Sequence, residues 1–101
     1  MDRKIDILRL HIWVSGRVQN VGFRAFVQQT GAELGLTGWV RNVGYDSVET
    51  VAEGAREVLE RFSLAVQNGP RGSRVDESRV DWEAASAEFK SFGVRNSIWS
   101  N

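Results

Sequence analysis

The segment of the chain with the clearest potential for chemistry is residues 16–24, Gly-Arg-Val-Gln-Asn-Val-Gly-Phe-Arg. It lies between a predicted strand and a predicted helix, where successive backbone N–H groups can converge on one anion. The start of the helix adds unpaired N–H groups and the positive end of the helix dipole. Arg24 lies in the first helical turn, and its guanidinium can bind a phosphate through two parallel hydrogen bonds. The segment therefore predicts a phosphate-binding loop.

The same loop has a plainer interpretation, because it also fits a surface loop with two glycines followed by a solvent-exposed arginine. It lacks the Gly-Lys-Ser/Thr ending of a Walker loop, and its glycine spacing differs from the dinucleotide-binding fingerprint. Loop spacing alone leaves both interpretations open. In the functional interpretation, the backbone ligands of the phosphate are the consecutive loop residues Gln19, Asn20, Val21, Gly22 and Phe23.

A second candidate is Asn42, which ends the segment Gly-Trp-Val-Arg-Asn over residues 38–42. Its amide offers one acceptor oxygen and two donor hydrogens. If the hairpin that contains Asn42 packs beside the first loop, the amide could hold a water next to a phosphate bound by Arg24. Asparagine at a strand end is also a common turn residue, so this role requires the two segments to meet.

The hydrophobic periods predict the elements on either side of the first loop. Apolar residues alternate over residues 8–14, which indicates a strand with one buried face that Ser15 and Gly16 end. Over residues 23–34 the apolar residues change to helical spacing, and Gly35 follows as a C-cap. The loop is therefore expected to join a strand to the N-terminus of a helix.

The rest of the chain continues this alternation of strands and helices. The order β-α-β-β-α-β predicts an α+β sandwich, with an antiparallel sheet and two helices packed on one face. The remaining elements are, in order, a strand over 36–41, a turn over 43–47, a strand over 48–53, a helix between Gly54 and Gly69-Pro70, and a strand over 75–83. Phe92 and Val94 predict a last strand, and the segment over 89–95 that contains them could complete the fourth strand.

Composition excludes several classes of function. Basic and acidic side chains number 13 each, whereas a general nucleic-acid coat protein would be basic. The chain has no cysteine, which excludes disulfide frameworks, thiolate nucleophiles and zinc ribbons, and fits a reducing compartment. A single histidine is too few for a histidine-based metal site, and a carboxylate-only site stays open although the chain has no clustered acidic loop for one. No stretch approaches the roughly 20 apolar residues of a membrane span, so we expect a cytoplasmic protein.

Taken together, the two candidate segments resemble the signature stretches of the acylphosphatase family. The first is similar to the family's Gly-x-Val-Gln-Gly-Val-x-Phe-Arg, and the second to Gly-Trp-Val-x-Asn followed by Val-Glu, here Val48-Glu49. The stretches Ala52-Glu53-Gly54 and Gly69-Pro70 are also similar. The resemblance covers about residues 7–95, the expected core of a single domain over residues 1–101, and it implies the ferredoxin-like β-α-β-β-α-β fold.

The resemblance implies an enzyme, an acylphosphatase, that hydrolyses acyl phosphates to a carboxylate and inorganic phosphate without a metal or cofactor. Arg24 would bind the phosphate, and Asn42 would orient the attacking water. The implied partners are a small-molecule acyl phosphate and inorganic phosphate as product or inhibitor, with no nucleic acid and no membrane. A monomer is the expected state of so small a sandwich.

Two positions depart from the family pattern. Asn20 stands where the first stretch usually has glycine, and asparagine tolerates a positive φ better than other non-glycine residues. Asp46 stands where the turn after Asn42 usually has glycine, although Gly44 could supply the backbone freedom. A carboxylate at Asp46 would repel a phosphate dianion if it lay close to it.

Two other functions fit parts of the sequence. A non-catalytic or accessory acylphosphatase-like binding domain would share both stretches. A single-stranded RNA-binding module uses the same sandwich, and Trp13 and Trp39 could stack bases on its open sheet face. The run Gly-Phe-Arg-Ala-Phe-Val over residues 22–27 superficially resembles an RNA-binding motif, but it falls at a loop-to-helix junction, and the zero net charge disfavours RNA.

Overall fold

The computed structural model describes residues 6–99, which form a five-stranded sheet and two helices. The elements in chain order are β1 Ile7–Arg17, α1 Phe23–Glu33, β2 Thr37–Val43, β3 Ser47–Ala55, α2 Arg56–Asn68, β4 Arg74–Ala84 and β5 Phe92–Val94. Across the sheet the strands follow the order β4-β1-β3-β2-β5.

Both helices pack on one face of the sheet, as predicted. The alternation over residues 8–14 has its expected effect, since Leu10, Ile12 and Val14 of β1 are at most 1% exposed. Their neighbours on β3 include Ala52 and Val48, which lie opposite Leu10 and Val14. The helices complete the same buried cluster with Phe23, Val27, Leu59, Phe62 and Val66. The α+β sandwich predicted from the sequence is therefore confirmed.

β1 extends past its predicted end at Ser15 and Gly16 and reaches Arg17. Its pairing with β4 changes register between Ser15 and Gly16, so a β-bulge replaces the predicted strand end. Gly16 has a φ of 130°, and a Cβ at this position would clash with the carbonyl oxygen of Arg74. Glycine therefore allows β1 to continue, and the loop before α1 shortens to residues 18–22.

Phe92 and Val94 lie in a last strand, as predicted. The segment over residues 89–95 does not complete the fourth strand, however, and that expectation is wrong. β4 ends at Ala84, and β5 is a separate strand that pairs in parallel with β2 at the opposite edge of the sheet. The sheet is therefore mixed, although the β1–β3, β1–β4 and β2–β3 pairings are antiparallel. Phe92 explains the position of β5, because its ring is 6% exposed and contacts Phe62 beside Gly31, where a Cβ would clash with it.

Residues 85–91 carry the chain from β4 to β5, and Glu53 of β3 fixes this crossover on the sheet face opposite the helices. The Glu53 carboxylate accepts hydrogen bonds from the backbone N–H groups of Ser86 at 2.8 Å and Ala87 at 2.9 Å. Arg9 Nε donates a third at 2.8 Å. Burial of Glu53 raises the pKa of its carboxyl, but the hydrogen bonds from Ser86, Arg9 and Ala87 outweigh that effect and hold this pKa below its usual range.

We expect Glu53→Gln to lower the free energy of unfolding at neutral pH by about 2–3 kcal/mol. The glutamine amide has one acceptor oxygen and no charge, so it cannot replace the carboxylate as the acceptor of all these hydrogen bonds. The folded-state pKa lies below the unfolded value of about 4.3, so the contribution is complete above that value and is lost as the pH falls through the folded pKa. Urea unfolding across a pH series measures the gap between the two proteins.

The matched control is Glu60→Gln, because Glu60 is an exposed carboxylate on α2. This variant should differ little from the parent protein at any pH. The anchoring role of Glu53 is wrong if Glu53→Gln unfolds like Glu60→Gln at neutral pH, or if the stability gap stays constant in acid.

Candidate active site

The strand directions bring the two predicted segments to the same end of the sheet. β1 and β2 both pair antiparallel with β3, so they run in the same direction. The loop that follows β1 and the residue Asn42 near the end of β2 therefore meet at one end. α1 begins directly after the loop, and its first turn lies at this end as well.

A cleft of about 320 Å³ lies where these segments meet. It is formed by the loop before α1, the first turn of α1, the end of β2 and the edge strand β5. Arg24 and Asn42, the two residues predicted to carry the chemistry, both line it. The full set of lining residues is Val18, Asn20, Gly22, Phe23, Arg24, Ala25, Asn42 and Val94.

The loop connects two buried residues, Val18 and Phe23. Val18 and Phe23 are at most 1% exposed and belong to the core, so both ends of the loop are fixed. Between them Asn20 has a φ of 61° and Gly22 a φ of 74°. Asn20 thus adopts the left-handed conformation in which asparagine is the best-tolerated residue after glycine.

The start of α1 leaves its positive end open to the cleft. Gly22 is the N-cap, no side chain caps the helix, and the first turn contains no acidic residue. Arg24 is the second residue of the helix and is half-buried. The ion pairs among residues 6–99 use other arginines, namely Arg9, Arg41, Arg74 and Arg79. Unpaired N–H groups and an arginine with no carboxylate partner in the described residues make this end of the cleft positive.

Gln19 has a structural role that the sequence did not reveal. We had expected it only as a backbone ligand of phosphate, and it is not among the residues that line the cleft. Its side-chain amide donates to the carbonyl oxygens of Val43 at 3.3 Å, Gly44 at 3.0 Å and Ser47 at 3.0 Å. Gln19 therefore joins the loop directly to the hairpin turn that follows Asn42. Val21 is likewise absent from the cleft lining.

β2 is held on both of its edges near Asn42. On one side Asn42 lies opposite Val48 of β3 in the antiparallel ladder. On the other side its carbonyl oxygen accepts a hydrogen bond from Ile98 N at 3.1 Å, and Gly44 N donates to the Ile98 carbonyl at 2.8 Å. The side chain of Asn42 is 9% exposed and faces the cleft. Its amide is therefore presented from a rigid strand.

The turn after Asn42 takes its backbone freedom from Gly44, which has a φ of 59°. Asp46 has no positive φ, so its departure from glycine introduces no strain of that kind. Its backbone carbonyl accepts a hydrogen bond from Gly16 N at 3.0 Å, and its carboxylate accepts one from Ser47 Oγ at 3.0 Å. Asp46 is not among the residues that line the cleft, so its charge does not face Arg24 there.

The open face of the sheet, proposed above as a possible RNA platform, is covered by the protein's own side chains. Trp39 is 8% exposed, with the guanidinium groups of Arg41 and Arg95 over its ring at 4.7 and 4.5 Å. Trp13 stacks on His11 with ring centroids 3.7 Å apart. His11 also contacts Glu49 through Nε2 at 2.6 Å. The aromatic faces needed to stack bases are therefore occupied, and His11 lies on the opposite side of the sheet from the cleft.

Three residues of the cleft were not predicted from the sequence, namely Val18, Ala25 and Val94. Ala25 follows Arg24 in the first turn of α1, so its place in the cleft could have been predicted from the sequence. Nothing in the sequence indicated that Val94 lies in the cleft, because only the parallel pairing of β5 with β2 brings it there. Within residues 6–99, no group of three or more potential metal ligands occurs. No helix in that range is long and apolar enough to cross a membrane.

The fold and the cleft define a ferredoxin-like α+β domain in which an arginine from the first turn of α1 and an asparagine of β2 line one cleft. The acylphosphatase family model matches residues 10–94. The chain belongs to the acylphosphatase family, as the two sequence stretches predicted.

Individual relatives agree over most of the chain. A curated acylphosphatase from Salinibacter ruber is 45% identical over 87 residues, which are 86% of this chain and 92% of that protein. The crystal structure of acylphosphatase from Bacillus subtilis has a TM-score of 0.83 at 39% identity and covers 87% of this chain and 98% of its own. A structure of full-length HypF in its phosphate- and nucleotide-bound form matches 100% of this chain with 13% of its own, at 28% identity and a TM-score of 0.89.

The φ of Asn20 predicts how the loop responds to substitution. Asn20→Gly should change the free energy of unfolding by less than about 0.5 kcal/mol, whereas Asn20→Ala should lower it by about 1 kcal/mol. Urea unfolding of the three proteins makes the comparison. Equal losses in both variants would show that the asparagine side chain, and not its tolerance of positive φ, holds the loop.

Proposed function

We propose that this protein hydrolyses acyl phosphates to a carboxylate and inorganic phosphate at the cleft between the loop and β2. The observation that carries the proposal is that Arg24 and Asn42, from separate elements, line the same cleft beside the N-terminus of α1. The family supports the same reaction, because the relatives named above from Salinibacter ruber and Bacillus subtilis are acylphosphatases.

The phosphoryl group of the substrate binds at the positive end of the cleft. Arg24 contributes a planar guanidinium that can meet two phosphoryl oxygens at once. The loop and the uncapped start of α1 contribute backbone N–H groups, and the ligands proposed on the loop are Asn20, Gly22 and Phe23, with Gln19 and Val21 as further backbone donors. These dipoles and one fixed cation stabilise the negative charge that the transferring phosphoryl group carries in the transition state.

Asn42 positions the attacking water. Its amide can accept a hydrogen bond from the water and donate one to a phosphoryl oxygen, which aligns the water with phosphorus. Its backbone lies between β3 on one side and the hydrogen bond from Ile98 on the other, which restricts the amide to one region of the cleft. Such pre-alignment contributes to the rate because the water need not be ordered during the reaction.

The leaving group requires no acid catalyst. The water oxygen forms a bond to phosphorus while the bond from phosphorus to the acyl oxygen breaks, and the electron pair leaves with a carboxylate. The conjugate acid of that carboxylate has a pKa of about 4, so it departs unprotonated. Arg24 is the single titratable side chain among the residues that line the cleft, so we assign the water's proton to a phosphoryl oxygen of the substrate. The reaction as proposed uses no metal ion or cofactor.

We further propose that residues 7–95 form one functional domain that acts as a monomer in the cytoplasm. Alternating charges along the free edge of β4 disfavour pairing with a second sheet edge. These charged residues are Arg74, Asp76, Glu77, Arg79, Asp81 and Glu83. The absence of cysteine agrees with a reducing compartment. Sedimentation velocity at several protein concentrations tests the monomer.

The test of the proposed function is hydrolysis of benzoyl phosphate, followed by its loss of ultraviolet absorbance in the presence of a chelator. We expect enzymatic turnover that the chelator leaves unchanged and that inorganic phosphate inhibits competitively. Absence of turnover by the folded protein would overturn the proposal and favour an accessory binding domain. Loss of turnover on chelation would overturn the metal-free reaction alone.

Substitution of the two central residues should separate binding from chemistry. Arg24→Ala should lower kcat/KM by about 10²–10³-fold and weaken inhibition by phosphate, because it removes charge stabilisation of the phosphoryl group. Asn42→Ala should lower kcat by about 10²-fold or more, with the inhibition constant of phosphate changed by less than about twofold.

The control for both variants is Arg61→Ala, which removes an exposed cation of α2 and should leave kinetics unchanged. The water-positioning role of Asn42 is contradicted if Asn42→Ala weakens phosphate binding and leaves kcat intact. The role of Arg24 is contradicted if phosphate inhibits Arg24→Ala as well as it inhibits the parent protein.

A further inference from the structure

The cleft is lined by two chemically different sets of residues. The polar set is Arg24, Asn42 and Asn20, and the remaining lining is mostly apolar. Of the apolar residues, Val18 and Phe23 are at most 1% exposed, so they offer almost no surface to a ligand. Val94, in contrast, is 52% exposed. Together with the small Ala25, it supplies the apolar surface that a bound molecule can reach.

The position of Val94 follows from the register of β5. Phe92 and Val94 lie opposite Gly38 and Val40 of β2, so both side chains point to the helix side of the sheet. Phe92 is buried beside Gly31, near the C-terminal end of α1. Two residues further along the strand, Val94 reaches the N-terminal end of α1, beside the cleft. The backbone there is fixed, because Arg95 N donates to the Val40 carbonyl oxygen at 2.9 Å.

An acyl phosphate has two chemically different ends. When its phosphoryl group occupies the positive end of the cleft, its acyl group must extend towards the remaining lining. An apolar acyl group gains free energy from covering exposed apolar surface, whereas a small polar acyl group does not.

We propose that Val94 is a specificity-determining residue that contacts the acyl group and makes the enzyme favour acyl phosphates with apolar acyl groups. This inference rests on the proposed function, since it requires the phosphoryl group to bind beside Arg24. The preference originates in β5 and lies outside the two sequence stretches that hold the phosphate and the water.

The test compares kcat/KM for benzoyl phosphate and acetyl phosphate in the parent protein, Val94→Ala and Val94→Thr. Threonine has nearly the shape of valine and the same preference for a strand, so Val94→Thr changes polarity with little change in packing. The ratio of the benzoyl to the acetyl value should fall by about three- to fivefold in both variants, as expected for the loss of two half-buried methyl contacts or their replacement by a hydroxyl. The value for acetyl phosphate and the inhibition constant of inorganic phosphate should change by less than about twofold.

The matched control is Leu64→Ala, because Leu64 is an apolar residue of α2 that is 67% exposed and does not line the cleft. This variant should keep the parent ratio. The inference is overturned if the ratio is unchanged in both Val94 variants, or if both substrates and phosphate are affected equally, which would make Val94 a structural support. If the parent protein hydrolyses neither substrate, the proposed function fails as well, and the two failures are therefore distinguishable.

Discussion

A buried carboxylate that must be hydrogen-bonded constrains the path of the C-terminal half of this chain. An unpaired charge in the position of Glu53 would cost several kcal/mol, so the fold has to supply donors to it. Two of those donors are backbone N–H groups of residues 86 and 87, and they bring the crossover down onto β3. The crossover leads the chain to the free edge of β2. β5 is only three residues long, so its backbone hydrogen bonds alone could not keep it paired with β2. The burial of the Phe92 side chain stabilises this pairing.

The candidate site depends on this crossover, although no residue that lines the cleft lies within residues 85–91. The chain that follows β5 supplies the hydrogen bond from Ile98 to the Asn42 carbonyl, and β5 itself supplies Val94. On the opposite side, Gln19 ties the loop to the hairpin turn through three carbonyl oxygens. Gln19 thus joins the loop to the turn after β2, and Ile98 holds β2 on its other edge, which keeps Arg24 and Asn42 in a fixed relation. Reactions that need mainly positioning and charge stabilisation benefit directly from such rigidity.

The two faces of the sheet divide the charged residues of the protein. On the open face, Arg41 forms an ion pair with Glu49, and Arg9 forms one with Glu53. On the helix side, the cleft contains an arginine with no carboxylate partner among the described residues. A chain with a formal net charge of zero therefore carries a locally positive cleft that its composition does not reveal. Net charge gave no indication of where an anion would bind.

The sequence by itself determined the helices, the first four strands and the face on which the helices pack, because the periods of apolar residues specify which side of each element is buried. It also placed Arg24 at a helix start and Asn42 at a strand end, and the match to two family stretches linked these residues before their proximity was known. Only the tertiary structure decided the direction of β5, the bulge at Gly16, the hydrogen bonds of Gln19 and the presence of Val94 in the cleft. Each of these features depends on contacts between residues far apart in the chain, such as Phe92 with Gly31 or Gln19 with Ser47. A local sequence pattern carries no information about such contacts. The distant partner of each residue is determined only when the whole core packs.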